Sequence, residues 1–495
     1  MKTNQPSGRD IFCSIKSTLF SGYALASLLA LWGAGCASQR MHVVTDPVGA
    51  EVTVSDARGE VVMTANAPCD VSVAFSHFNP NYNLNVTPPA NLADRYLEET
   101  TNITADVFSR LPLYGNYGDN NHRQLNLSLE EKLYTVLPYV EIVLDASHTW
   151  RGAVIKSRAY KDISEAGGAV PTQIADFGDN FGIQSLALSP DGKRIVYSIA
   201  SYTLPPQELQ KIFSAAEPRT IDIAGANLNA ISTTGGGIEH ITSEAFRDMF
   251  PSFTADGEYL LFTSNRRRPN SEDILRISAK ERSGISDIYV HSDARLMRPT
   301  QAKDGTIAFC MEVPNALDAK QRFTIWTLGG PNQFPTQIQI GSQPAISPDG
   351  KHIAYIGADG NLWVVNTDGS QATQLSFGAD KIVERYKNSL SAEELARYNA
   401  FVNQFGFPEK MPFSYPSWSA DGQKIVYTAM EGSDPTGRPN EDVWIMNYDG
   451  SGKQQLTTNG SIDRYPLLSP DGKWVYFISN RGGHWAIWRI AAPSQ

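Results

Sequence analysis

One phrase occurs six times in this chain, and any fold it adopts has to repeat with it. The fullest copy runs from Pro466 through Ser469, Asp471 and Gly472 to Ser479. Close copies span Pro344–Ile356 and Pro416–Tyr427, two more span Leu186–Tyr197 and Pro251–Phe262, and the weakest spans Pro299–Phe309. Each is a short apolar strand, an Asp-Gly turn and a second strand rich in β-branched and aromatic residues. Asp-Gly supplies the positive φ of a tight hairpin, and proline suits the head of a strand, where no ladder donor is lost. The pairs start at Asp191, Asp256, Asp304, Asp349, Asp421 and Asp471, at intervals of 65, 48, 45, 72 and 50 residues. A basic period of about 45 residues with insertions is that of a four-stranded propeller blade, so six hairpins predict six blades.

Further strands fit that unit. Asn361–Asn366, Asp442–Asn447 and Ala486–Ile490 read as third strands, and Ala372–Leu375 and Lys453–Thr457 as fourth strands after Asp-Gly-Ser turns. The last unit runs out of chain after its third strand. Thr172–Phe177, just ahead of the first hairpin, is expected to supply the missing outer strand and close the ring, which removes exposed edges.

Only 19% of the 495 residues are charged, while Gly and Pro number 39 and 29. That mixture suits a turn-rich all-β chain. A net charge of −10 argues against a nucleic-acid partner. The basic triplet Arg266, Arg267 and Arg268 reads as a solvated loop.

The start of the chain reads as an export signal: Lys2, Arg9 and Lys16 precede an uncharged apolar run from Ser17 to Leu31, short for a membrane span. It ends in Leu31, Trp32, Gly33, Ala34, Gly35 and Cys36, which resembles a bacterial lipobox with Gly33 where leucine is usual. The resemblance makes Cys36 the diacylglycerol acceptor; the alternative is ordinary secretion with Cys36 free. Of the other cysteines, Cys13 leaves with the signal, and Cys69 and Cys310 fall in different domains and read as buried free thiols.

Residues 37–162 then read as a small β-sandwich-like domain. Strands flank Pro47, Val48, Gly49 and Ala50, and these words with Val52 and Val54 resemble a PEGA domain, although only Asn66-Ala67-Pro68 stands where that module has Gly-x-Thr-Pro. The Asn- and Pro-rich stretch from Phe78 to Asn126 predicts irregular surface with one short helix near Leu92–Glu99. Strands at Tyr139–Leu144 and Trp150–Tyr160 close the domain, and residues 163–169 form a linker to a propeller over 170–492.

The repeated Pro-x-aromatic-Ser-x-Asp-Gly-Lys, with Ser264-Asn265-Arg266 and Ser479-Asn480-Arg481 after second strands, resembles the TolB-type propeller over about 320 residues. The resemblance implies a periplasmic binding protein, whose family partner is the peptidoglycan-associated lipoprotein. Two features depart from that family: the β-rich domain in front, where it carries an α/β domain, and the lipid anchor.

Each first turn is short, so extra length collects at the opposite ends of the strands: residues 201–218, 266–270, 312–321, 377–412 and 431–440. The longest contains a helix from about Ser389 with glutamates in its first turn. Beside the channel mouth lie Arg247, Phe250, Arg298, Tyr415, Arg464 and Tyr465, residue types that anchor interfaces. The competing reading wedges the aromatics between blades and pairs the arginines with Asp248 or Asp463. A Gly-x-Ser-x-Gly elbow is absent, and His240, His291, His352 and His484 occupy unlike places in their blades. The expectation is a monomeric, non-catalytic envelope lipoprotein with no cofactor and no metal. It would sit in the periplasm, anchored to the outer membrane through Cys36, with the cell surface as the alternative, and bind an envelope protein or peptidoglycan-associated partner, or cell-wall glycan itself, on the loop-bearing face. The alternative is a hydrolase or lyase acting on glycans in the central funnel.

Overall fold

The six Asp-Gly turns share one construction in the computed structural model. In the first, Gly192 takes φ 71° and its N–H donates to the Ser189 carbonyl at 2.8 Å, so the turn has four residues with glycine alone in the left-handed region. Asp191 Oδ1 accepts from the Ser189 hydroxyl at 2.6 Å and from the Lys193 N–H at 3.1 Å. The hydroxyl–carboxylate bond recurs at Thr254/Asp256, Ser347/Asp349, Ser419/Asp421 and Ser469/Asp471. It holds these carboxyls below the usual aspartate range, most directly at Asp191, Asp256, Asp421 and Asp471. Ala302 stands in the weakest copy, which therefore lacks the bond.

The structure describes residues 37–75, 81–90, 93, 96–104, 122–128, 134–144, 150–177, 182–202, 220–269, 271–291, 294–313, 321–329, 332–405, 408 and 410–493. The proposed signal and Cys36, and the insertions at 203–219 and 314–320, lie outside them. The chain divides into two units at Lys132/Leu133.

In the first unit, Glu51–Asp56 pairs with Val61–Asn66 on one side and Asn81–Thr87 on the other, and Glu99–Thr104 adds outside. A second sheet sets Ala37–Asp46 between Cys69–Phe75 and, in parallel, His122–Ser128. Met41, Val43, Val52, Val54, Val71, Val73, Leu84 and Val86 form one buried cluster between the sheets. Asn81–Thr87 corrects the expectation of irregular surface: Asn81, Asn83 and Asn85 alternate with buried Tyr82, Leu84 and Val86, so asparagine occupies the outer face of a strand. The expected helix near Leu92 falls partly outside the described residues, and Glu99 already begins a strand.

The second unit is a ring of antiparallel four-stranded meanders, six among the described residues. Their innermost strands are Ile183–Leu188, Met249–Phe253, Arg295–Gln301, the end of Asn332–Ile346, Phe413–Trp418 and Asp463–Leu468. Each innermost strand touches the next, and the last touches the first. Turns of neighbouring meanders also come close to one another. A Cβ on Gly192 would lie 3.2 Å from Pro470 of the last meander, and one on Gly257 3.4 Å from Pro190 of the first. Asn332–Ile346 is a single strand that ends the third meander and begins the fourth. Thr172–Asp176 pairs antiparallel with Ala486–Ala491 as the outermost strand of the sixth meander, the closure the sequence predicts.

Three features differ from the sequence reading. The hairpin of Tyr134–Leu144 and Trp150–Tyr160, placed there with the first domain, groups with the second unit. Tyr160 N–H donates to Ser461 Oγ, and Asn480 Nδ2 to Ser157 Oγ and the Arg158 carbonyl, at 2.8–3.1 Å. The 377–412 insertion holds two helices, α1 (Ala379–Asn388) and α2 (Ala392–Phe405). The expected one is α2, capped reciprocally by Ser391 and Glu394; α1 buries Ala379, Ile382 and Tyr386 on one face. Lastly, Arg266–Arg268 ends a strand, with Arg266 on Asp248 and Glu244, Arg267 on Asp287 and Arg268 on Asp273.

Candidate functional site

Five inner strands carry a residue followed by proline: Phe250-Pro251, Arg298-Pro299, Gln343-Pro344, Tyr415-Pro416 and Tyr465-Pro466. Each residue ahead of the proline has a positive φ, between 52° and 55°. Each lies in a β-bulge where the pairing with the second strand slips. A bulky side chain in the left-handed region costs roughly 1–3 kcal/mol, and a bulge re-aims the side chain it carries. Five equal departures at equivalent places aim five side chains the same way. The first meander has a bulge too, between Ile183 and Ser185, but neither the proline nor the positive φ.

The direction is inward, along the axis of the ring. The Arg298 guanidinium lies 4.7 Å from the ring centre of Phe250, 5.0 Å from Tyr415 and 5.6 Å from Tyr465. Tyr415 and Tyr465 are 4.0 Å apart. These residues come from the third, second, fifth and sixth meanders, which can meet only at the centre. Gln343 of the fourth joins them, its Oε1 accepting from Tyr415 N–H at 2.6 Å. Four of the six sequence-predicted residues thus form one cluster. Gln343 is the member sequence reasoning missed, and the X-Pro dipeptide it shares with the other four is the signal that marks it.

The other two sit apart in ion pairs. Arg464, 3% exposed in its side chain, donates to both oxygens of Glu441 at 2.9 and 3.1 Å, with Lys410 Nζ 3.7 Å from the same carboxylate. Its guanidinium also stacks over Tyr139 at 4.7 Å. Arg247 pairs with fully buried Glu272 at 3.1 Å. The carboxylates expected for these arginines go elsewhere, Asp248 to Arg266 and Asp463 to Arg481. Arg295 and Arg322 converge on Glu312. Arg298 differs from all of them: among the described residues its side-chain nitrogens make no hydrogen bond or ion pair, and three rings and the buried Cys310 thiol lie near it.

Burial pushes the carboxyls in this belt up: Glu272 to about 7 despite Arg247, Asp463 to about 6 despite Arg481, and Asp442, next to Asp463, well above the usual range. Their proton affinity comes from lost solvation inside ion-pair networks.

The site lies at the end of the strands from which the long insertions leave, and the chain covers part of it. Tyr139 of the hairpin donates to the Ile183 carbonyl at 2.9 Å and packs on Trp485. Phe401 of α2 belongs to the same buried cluster as Tyr139 and Tyr465, with Tyr415 against it. Phe250, Arg298 and Gln343 keep partial exposure. The histidines are dispersed: His240 holds Asn229 at 2.7 Å, His352 packs near Trp418 and Tyr448, and His291 near Tyr289. Among the described residues no three His, Cys, Asp or Glu side chains group as metal ligands. Cys69 and Cys310 are free thiols, the first partly exposed; burial pushes Cys310 up to about 12.

Fold and site together define an all-β protein whose second unit is a β-propeller with an arginine among aromatic rings on its axis. No protein-family description matches the chain. It is 33% identical over 203 residues to the uncharacterized protein Atu1656 of Agrobacterium fabrum, covering 38% of this chain and 63% of that one. To the protein TolB homolog of Chlorobium luteolum it is 26% identical over 156 residues, 32% of this chain and 28% of the relative. The chain therefore spans less than two thirds of either. TolB from Acinetobacter baumannii superimposes with a TM-score of 0.39 at 17% identity, covering 78% of each chain.

Proposed function

We propose that this chain is a non-catalytic recognition protein of the bacterial envelope, anchored through lipid on Cys36, with a PEGA-like module ahead of a TolB-like propeller. Its partner is an envelope protein or a peptidoglycan-associated one, met at the insertion-bearing end of the propeller. The observation that carries this reading is the axial cluster of Phe250, Arg298, Tyr415 and Tyr465. Aromatic rings and arginine dominate binding energy at protein interfaces, and a cluster whose four members each sit in a bulge needs little ordering on contact. The partial similarity to a TolB homolog supports the same reading.

The purified protein, presented with solubilised envelope proteins and in parallel with cell-wall glycan fragments, tests it. The expected result is a stoichiometric protein complex that R298A or Y465A weakens, with glycan masses unchanged. Shortened or unsaturated glycan products under turnover would replace this reading with the glycan-acting enzyme. The anchor predicts a diacylglycerol-bearing mature N-terminus, and a C36S chain that leaves the membrane fraction.

A further inference from the structure

Three rings stand round the Arg298 guanidinium with their centres 4.7–5.6 Å from its carbon. A guanidinium has two apolar faces and an in-plane edge of five N–H donors. Contact with aromatic rings is electrostatic and answers none of those donors with a hydrogen bond. Around this belt Arg247, Arg266, Arg268, Arg295, Arg322, Arg464 and Arg481 all carry carboxylates. Arg298 alone of these has neither carboxylate nor carbonyl among the described residues. The left-handed backbone at Arg298, held by Pro299 and the bulge, fixes the base of the side chain, and three rings surround its end. A planar donor edge, partly open to solvent, is suited to accept a carboxylate in the two-pronged geometry seen here at Arg464 and Glu441.

We propose that the Arg298 edge receives a single carboxylate from an acidic peptide segment of the partner, an Asp or Glu side chain or a chain terminus, while Phe250, Tyr415 and Tyr465 surround the guanidinium. The inference rests on the recognition reading above and names the group recognised. The chain's charge of −10 repels acidic ligands at a distance, so selectivity for such a segment has to come from this local edge.

The test uses the full chain, with guanidinium groups ¹⁵N-labelled so that the Arg298 Nε–H resonance reports contact. The probes are a capped Gly-Ser peptide with one central glutamate, its glutamine twin, an uncapped version with a free C-terminal carboxylate, and glucuronate. The glutamate or free-carboxylate peptide should shift the Arg298 signal and bind about ten-fold or more tighter than the glutamine twin, the difference between a charged and a neutral hydrogen bond. R298Q should lose that preference, and R298K should keep only part of it, since an ammonium cannot bind in two prongs. Thermal unfolding of both variants separates loss of the edge from loss of the fold. Equal binding of the glutamate and glutamine peptides, a preference that survives in R298Q, or a response to glucuronate alone would each overturn the proposal. A partner complex that forms from envelope proteins but ignores R298Q defeats this inference and leaves the recognition reading standing. Glycan turnover defeats the recognition reading itself.

Discussion

Replacing Glu441 by glutamine tests the ion-pair belt at a deeply buried point where one carboxylate serves two cations. Glu441 is 2% exposed in its side chain and answers two cations at once, Arg464 through two hydrogen bonds and Lys410 at 3.7 Å. The amide keeps the volume and removes the charge that faces two side chains only 3% and 8% exposed. Breaking a buried pair from one side costs about 3–5 kcal/mol, whereas replacing the whole pair by apolar groups is often close to neutral. Lys410 can be pushed towards its neutral form and Arg464 cannot, so most of the loss belongs to Arg464. At about 2 °C per kcal/mol for a large domain, the second unit should melt about 6–10 °C lower in E441Q. E441Q combined with R464M should recover more than half of that, because the stranded guanidinium is gone. Calorimetry of the full chain follows the second unit as its own transition. A loss below about 1 kcal/mol, or a double variant no better than E441Q, would refute the view that charge compensation holds this belt together.

Three further outcomes are expected. Deleting residues 171–177 removes the outer strand of the sixth meander and exposes the edge of Ala486–Ala491, so the protein should lose thermal stability and associate through that edge, as light scattering on heating would reveal. Glu272 binds its proton more tightly folded than unfolded, so its contribution to stability is full below about pH 4.5 and is lost as pH rises through about 7; the melting temperature should fall from pH 5.5 to 8, and E272Q should flatten that slope. Cys310, buried with its thiol pushed up to about 12, should resist iodoacetamide at pH 8 while the fold is intact, with Cys69 labelled first in peptide mapping.

The hairpins were legible because turn chemistry is local. Asp and Gly two and three residues after Ser or Thr dictate the same turn wherever they occur, and the strand absent after Ile490 pointed to Thr172–Asp176. The first unit was less so. Asn81, Asn83 and Asn85 look like turn residues until their neighbours Tyr82, Leu84 and Val86 are read at a period of two. Helix α1 hid among charged residues because it buries only Ala379, Ile382 and Tyr386. At the site, sequence supplied the residue types but not their company. Arg247 and Arg464 reach across to Glu272 and Glu441 rather than to the aspartates one residue away, because alternate residues of a strand face opposite sides. That Phe250, Arg298, Tyr415 and Tyr465 touch at all depends on ring closure, which no stretch of the chain contains by itself.

The segment joining the hairpin to the closing strand has a mechanical consequence. Glu165 accepts from Asn459 N–H at 2.9 Å, from Thr458 and from Arg481 Nη1 at 2.6 Å, and Asn459 Nδ2 donates to the Asp162 and Ser164 carbonyls. Tension applied from the N-terminal end therefore meets this charged clasp before it reaches Thr172–Asp176. The clasp ties residues 162–165 to the fifth and sixth meanders, so strain entering along the chain is shared with them ahead of the seam that closes the ring.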